Sequence, residues 1–332
     1  MHAIFYDRFG PARDVLHLTD MPTPPPAAGE VRVELAFSGV NPSDVKARAG
    51  TRPGVTKPAF PQIVPHSDGS GTIVAVGDGV DKRRIGQNVW IWNAQWQRAF
   101  GTAAAEITLP ADQAVPLPQT ASLETGATLG IPGLTASHAV FGGGPVEGQT
   151  LLIQGAGGSV GYLALQLARW AGANVIATCS TRDRDRVAAA GAKTVLDYKD
   201  PDLAQQVLAA NEGTPVSQVI EVEFGRNIAM DAEVIAPNGR LAVYGSAADM
   251  APTVPFGPLL FKAATIDILL IYILPKPQRD AAIAQLHAAL ADKALHSPVD
   301  GIFSLGDTAA AHEAVEAGGR CGATLIDCRS TP

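Results

Sequence analysis

In the first third of the chain, apolar and polar residues alternate with a period of two. Val31-Arg32-Val33-Glu34-Leu35-Ala36-Phe37 follows that pattern and predicts a half-buried strand. Residues 69–77 read as a second strand entered through glycines, and Val89-Trp90-Ile91-Trp92 as a third. Pro22, Pro24, Pro25 and Pro26 make a stiff extended entry that suits the edge of an open barrel better than a helix. From about residue 123 the period changes. Leu151-Leu152-Ile153-Gln154 is a short apolar run of the kind covered on both faces. Val160, Leu163, Ala164, Leu167, Ala168 and Ala171 then fall three and four apart, as on one face of a helix. Strands at 174–178, 194–196, 218–222 and 240–244 follow, with helical stretches between them. That alternation predicts a parallel, doubly wound sheet. Beyond 264 the pattern predicts an apolar strand at 266–273, helices near 279–292 and 308–317, and a last strand at 323–326.

Composition narrows the class. Of the 332 residues, 46% are hydrophobic and 17% charged, enough for buried cores and too few charges for disorder. A chain of this length suggests about two domains. Lys plus Arg total 25 against 32 Asp plus Glu, and the net charge of −7 comes without a basic stripe. That excludes a dedicated nucleic-acid binder, which needs clustered cations. Cys179, Cys321 and Cys328 make neither a disulfide framework nor metal-ligand spacing. The segment Met1-His2-Ala3-Ile4-Phe5 does not resemble a secretory signal, and the longest apolar run, at 268–274, is far short of the ~20 residues that span a bilayer. The expectation is a cytoplasmic protein without a membrane partner.

Gln154-Gly155-Ala156-Gly157-Gly158-Ser159-Val160-Gly161 lies between a strand and an amphipathic helix. Glycines there allow a tight turn, close approach to a diphosphate and close helix–sheet packing, while the helix N-terminus offers N–H groups to the anion. Two spacings fit, Gly155-x-x-Gly158-x-x-Gly161 and Ala156-x-Gly158-x-x-Gly161. Either predicts a dinucleotide site; a ligand-free glycine turn is the bland alternative. The tip of the next strand, Thr178-Cys179-Ser180-Thr181-Arg182-Asp183-Arg184, has no acid where NAD-binding sheets hold the ribose hydroxyl. Small hydroxyls followed by arginines suit a 2′-phosphate, and so NADPH. The competing reading makes Arg182, Arg184 and Arg186 a solvated helix face.

With these residues in view, the chain resembles the zinc-free quinone oxidoreductase branch of the medium-chain dehydrogenase/reductase superfamily, the group that includes zeta-crystallin. The likeness rests on Gly39-Val40-Asn41-Pro42-Ser43-Asp44, on Gly71-Thr72-Ile73-Val74-Ala75-Val76-Gly77 and on Ile85-Gly86-Gln87-Asn88-Val89. Further matches are Gly130-Ile131-Pro132-Gly133-Leu134-Thr135-Ala136, the glycine loop, Pro237-Asn238-Gly239-Arg240 and Ala311-His312-Glu313. The resemblance implies an α/β protein: a Rossmann doubly wound domain at 123–263, and a GroES-like, partly open β-barrel domain at 1–122 and 264–332. It implies a cofactor and substrate in the cleft between them, and a homodimer. Zinc-dependent relatives have a cysteine where Asn41 stands and a histidine–glutamate pair where Ser67 and Asp68 stand. An amide and a serine are poor zinc ligands, so no metal is expected. His66, beside them, reads as a packing or cleft histidine.

The resemblance also nominates residues. Asn41 would lie near nicotinamide and substrate and polarise a carbonyl oxygen, or else simply cap a turn. Asp44 would orient its neighbours. Lys46 stands where relatives often carry a tyrosine, and would offer charge to a quinolate or remain solvated; another family tyrosine is missing near Thr51-Arg52. Trp96 is the candidate for stacking on a flat substrate, while Trp90 and Trp92 share a strand face. Thr135 would contact nicotinamide. Gly155, Ala156, Gly158, Ser159, Val160 and Gly161 would hold the diphosphate, and Ser180, Arg184 and Tyr198 the adenosine phosphate end. Gly245 and Ser246 lie at a carboxyl edge of the sheet. Ala323 replaces a common family lysine, and Cys321 and Cys328 read as bystanders. The implied activity is NADPH-dependent reduction of quinones or α,β-unsaturated carbonyls. The alternatives are a 2-enoyl thioester or enone reductase and a non-enzymatic, crystallin-like NADPH binder. The apolar segment 266–273 is the expected homodimer contact, since a bare edge strand of that composition invites pairing.

Overall fold

The computed structural model describes residues 1–51 and 54–330; Arg52, in the segment where a family tyrosine is missing, lies outside them. The chain forms two compact units, Met1–Ile131 with Ser297–Pro332, and Pro132–His296.

The first unit opens with β1 (His2–Phe5), α1 (Ala12–Val15) and β2 (His17–Asp20), the two strands pairing as a hairpin. Next come β3 (Glu30–Val40), α2 (Pro42–Ala49), β4 (Asp68–Val76) and β5 (Asn88–Ile91). β6 (Glu106–Pro110), β7 (Ala114–Pro116) and α3 (Leu123–Gly126) complete its first stretch. β3 shows why alternation was readable. Val31, Val33 and Leu35 point into the core while Arg32 and Glu34 point away. From Ala36 onward the strand is buried on both faces, and the alternation ends there.

A π-helical turn at Leu129–Gly133 leads into α4 (Leu134–Phe141). The second unit then runs β8 (Thr150–Ile153), α5 (Ser159–Trp170), β9 (Asn174–Cys179), α6 (Arg184–Ala189), β10 (Thr194–Asp197) and α7 (Leu203–Ala210). It continues through β11 (Val216–Glu221), α8 (Phe224–Val234), β12 (Ile235–Val243), α9 (Phe256–Phe261), β13 (Thr265–Ile268) and α10 (Lys276–Ala291). Its six strands are all parallel, in the order β10-β9-β8-β11-β12-β13. This is the doubly wound order, with its switch point between β8 and β11. Leu151, Leu152 and Ile153 are fully buried at its centre. The chain returns to the first unit through β14 (Val299–Ser304), α11 (Thr308–Ala317) and β15 (Ala323–Asp327). There the larger sheet runs β14-β15-β3-β4-β5-β7, with β6 also on β3.

Two expectations change. The return to the first unit, read at 264, comes at Ser297. Residues before it stay because β13 extends the parallel sheet beside β12 and Ser137 on α4 donates to Ala282 O on α10 at 3.0 Å. The strand expected at 266–273 is only Thr265–Ile268, followed by a 3-10 turn at Ile271–Ile273. Its partner β12 ends at Val243, which accepts a last bond from Leu269 N–H at 2.7 Å; beyond that no ladder remains and the chain curls. No described helix is long and apolar enough to cross a membrane.

Candidate active site

The glycine loop joins the end of β8 to α5. Gly155 has φ +66°, the left-handed conformation that a tight strand-to-helix turn needs. A Cβ on Gly161 would lie 2.5 Å from Gly155 O and 2.9 Å from Ala156 Cα, so only glycine lets α5 pack this closely on the turn. Gly158 differs. It is exposed, and a Cβ there would meet nothing nearer than Gly155 O at 3.5 Å. Its openness leaves room for a ligand over the first turn of α5, where Ser159 and Val160 offer N–H groups that no helical carbonyl can accept. The two spacings thus divide the work: Gly155 makes the turn, Gly158 the approach and Gly161 the packing, while Ala156 is buried and donates its N–H to Thr178 O at 2.8 Å. The loop fits a dinucleotide diphosphate.

At the end of β9 the structure adds a group that the sequence reading did not weigh. The strand tip carries no acid, but four residues on, Asp183 turns back beneath the loop, where a Gly157 Cβ would lie 2.8 Å from its Oδ2. Ser180 donates its hydroxyl to Asp183 at 2.7 Å, and Arg182 and Arg186 pair with it at 3.3 and 3.2 Å. Burial alone would raise the Asp183 pKa; the bonds from Ser180 and Arg186 and the two arginine charges outweigh it and hold the carboxyl below its usual range. Arg184 begins α6, is exposed, and forms no ion pair among the described residues. Tyr198 is also exposed, with Lys199 Nζ 5.5 Å from its ring centre.

At the next carboxyl edge, Gly245 is required by packing, since a Cβ would lie 2.3 Å from Val222 O. Ser246 Oγ accepts from Gly225 N–H at 2.9 Å and donates to Asp249 O, so its hydroxyl holds its own loop. Thr135 is buried in the first turn of α4.

In the first unit, Asn41 caps α2 in a reciprocal capping box with Asp44. The Asn41 backbone N–H donates to Asp44 Oδ2 at 2.8 Å, and its Nδ2 donates to Asp68 Oδ2 at 2.7 Å. Asp68 Oδ1 accepts from Ile131 N–H at 2.8 Å. Burial and the neighbouring Asp44 push the Asp68 pKa well up, against these two donors. Lys46 is exposed on α2, and Trp96 is half-buried in the turn after β5. Trp90 is fully buried in β5, while Trp92 lies just past its end and donates Nε1–H to Asp112 O at 3.2 Å.

His66 packs inside this unit, 1% exposed and at φ +77°. Its tautomer follows from its partners. Thr102 donates to Asp68 O at 2.5 Å, so its oxygen accepts from Ser38 at 2.8 Å. Ser38 therefore accepts from His66 Nδ1–H at 2.8 Å. The free His66 Nε2 then accepts from His312 Nε2–H at 2.8 Å. Burial lowers the His66 pKa to about 3 and takes His312 well below its usual value, so both are neutral. Sequence reasoning missed Asp183 and the partners of Asp68; the Asp183 signal was present, an acid within one turn of a strand tip.

The match to known families now bears on this geometry. Residues 27–119 match the alcohol dehydrogenase GroES-like domain, and residues 159–285 match the zinc-binding dehydrogenase family. The rat (Rattus norvegicus) quinone oxidoreductase is 32% identical over 249 residues, covering 74% of this chain and 73% of that protein. The chain belongs to the quinone oxidoreductase branch of the medium-chain dehydrogenase/reductase superfamily. Among solved structures, a mycobacterial protein in complex with NADPH superposes with a TM-score of 0.84 at 28% identity, covering 98% of this chain and 99% of that one. An NAD-dependent alcohol dehydrogenase superposes with a TM-score of 0.87 at 26% identity, over the same shares. This member of the branch does not fit zinc at the corresponding positions. Asn41 presents an N–H to Asp68, both Asp68 oxygens accept hydrogen bonds, and among the described residues no group of three or more His, Cys, Asp or Glu could hold a metal ion. The enzyme is an NAD(P)H-dependent reductase of the quinone oxidoreductase type.

Proposed function

We propose that the chain is an NADPH-dependent, metal-independent reductase of quinones or related α,β-unsaturated carbonyls. The observation that carries this reading is the charge beside the glycine loop. Asp183 is paired with Arg182 and Arg186, while Arg184 forms no ion pair among the described residues and is offered to a 2′-phosphate. The relative solved with NADPH and the rat quinone oxidoreductase support the same cofactor and substrate class. Bound NADPH supplies the hydride. Gly155, Ala156, Gly158, Ser159, Val160 and Gly161 hold the diphosphate, and Ser180, Arg184 and Tyr198 the adenosine end. Thr135 contacts nicotinamide, and Gly245 and Ser246 shape the neighbouring edge. Asn41 offers its remaining amide N–H to a substrate oxygen, held in place by Asp68, while Asp44 fixes its backbone. Trp96 stacks on the substrate and Lys46 adds positive charge.

The test is NADPH oxidation with a panel of quinones, enones and enoyl thioesters, with elemental analysis. Quinone turnover insensitive to chelator supports the reading. Preferred turnover of enoyl thioesters, binding without turnover, or about one zinc per chain with chelator-sensitive activity would each overturn it. We further propose a homodimer through the β13 edge. Among the described residues β13 pairs only with β12, and Ile268 and Ile273 are 76% and 64% exposed. Light scattering across dilution should show a dimer for the wild type and a monomer for Ile268→Glu.

A further inference from the structure

Arg182, Arg184 and Arg186 stand at alternate positions of one short segment, yet the structure treats the last of them differently. Arg182 and Arg184 are exposed. Arg186, in the first turn of α6, is half-buried, its side chain 22% exposed. Its guanidinium stands over the ring of Tyr162 on α5, 4.6 Å from the centre. Its Nη2 donates to Gly157 O at 2.6 Å and to Asp183 Oδ1 at 3.2 Å. Its Nε is buried and meets no acceptor among the described residues. An arginine that only covered a helix face would turn that N–H to water, since a buried unpaired donor costs free energy. Here the contacts with Gly157, Asp183 and Tyr162 hold the side chain in place against that cost.

The carbonyl that Arg186 holds belongs to the Gly157–Gly158 peptide. On the other side of that peptide, Gly158 N–H donates to Gly155 O at 2.9 Å. A planar unit is thus tied at both ends, immediately before Ser159 begins α5. No side chain of the loop itself does this. Gly155, Gly157 and Gly158 have none, and α5 has no side-chain cap. Three glycines in four residues leave the backbone wide freedom, and ordering it at the moment of binding costs affinity. We propose that Arg186 is a positioning residue that clamps the Gly157 carbonyl and so presets the loop for the cofactor diphosphate. This rests on reading the loop as the dinucleotide site. The diphosphate is common to NADPH and NADH, so the clamp serves both alike, unlike Arg184, whose proposed partner is the 2′-phosphate alone. Asp183, lying under Gly157, sets the guanidinium through its own bond to Arg186.

Arg186→Met keeps an unbranched apolar stem beside Tyr162 and removes the donors. The dissociation constants for NADPH and NADH should both rise, each by about tenfold. In the free protein, amide hydrogen exchange over residues 155–160 should quicken while that of β11 stays as in the wild type. Unchanged binding would overturn the proposal and leave the reading of the loop standing. A loss confined to NADPH would overturn it by making Arg186 a 2′-phosphate ligand, and weaker binding with unchanged exchange would remove the presetting. Adding Asp183→Asn separates the clamp from simple charge. A persisting gap of about tenfold between Asp183→Asn and the double variant supports the clamp; equal affinities would show that Arg186 only offsets Asp183. If the wild type binds neither dinucleotide, the reading of the loop fails and the positioning role with it.

Discussion

The glycine loop of the second unit and the Asn41–Asp68 cluster of the first are built in opposite ways. The loop leaves groups unsatisfied: Gly158 is exposed, with nothing nearer its Cβ position than Gly155 O at 3.5 Å, and the first turn of α5 has N–H groups with no helical acceptor. In the cluster, Asn41 gives one N–H to Asp44 and another to Asp68, and Asp68 fills its second oxygen from Ile131. A site that binds an anion must keep donors in reserve. A site that orients one amide spends its polar atoms on holding it. The proposed function assigns the strong binding to the loop and the positioning of a reactant to the cluster.

The largest effects should come from the loop. Gly161→Val places a side chain into Gly155 O and Ala156 Cα and should destabilise the fold by about 3 kcal/mol or more, read by thermal unfolding. Gly158→Val has room in the protein, at φ −84°, and should leave the unfolding midpoint nearly unchanged while weakening NADPH by about a hundredfold in calorimetric titration. If both variants lose stability equally, the division between packing and approach is broken.

On the first unit's side the sharpest handle is acid. His66 is neutral and buried with its pKa at about 3, and titrates near 6.5 in the unfolded chain. The unfolded state therefore takes up more protons below about pH 6.5, and stability falls as pH drops toward 3. At pH 5 the loss for this one side chain is about 2 kcal/mol. His66→Gly suits φ +77° and should have a smaller drop in unfolding midpoint between pH 7 and pH 5 than the wild type; an equal drop would place the acid sensitivity elsewhere. The smallest effect is the most selective. Arg184→Ala should weaken NADPH by about tenfold or somewhat more and leave NADH nearly unchanged in competition binding. Equal weakening of both would assign Arg184 to the helix rather than to the phosphate.

Most of the doubly wound sheet and the loop was legible because each depends on neighbours in the chain. A central strand such as Leu151-Leu152-Ile153 is apolar throughout since both faces are covered, and a strand–glycine–helix segment carries its own geometry. Asn41 was legible as a candidate through the family motif Asn41-Pro42, its place before a proline by itself saying only that it caps a turn. What holds it was not, because Asp68 and Ile131 arrive from 27 positions and 63 further positions along the chain. The strand at 266–273 was over-read: its composition says strand, but strand length depends on how far β12 extends beside it.

Periodicity and glycine placement, properties of the chain alone, determined the two-part α/β plan and the strand–glycine–helix loop, while the motifs at 39–44, 71–77 and 130–136 carried the resemblance to the family. Tertiary structure decided which polar atoms are paired. It turned Asp183 back under the loop and joined His66 to His312 across 246 positions. It kept residues 264–296 with the parallel sheet. The physical reason is the range of the forces involved. Backbone preference and burial patterns act between residues a few positions apart, whereas the cost of an unpaired buried polar group is met by whatever donor or acceptor the fold brings within about 3 Å.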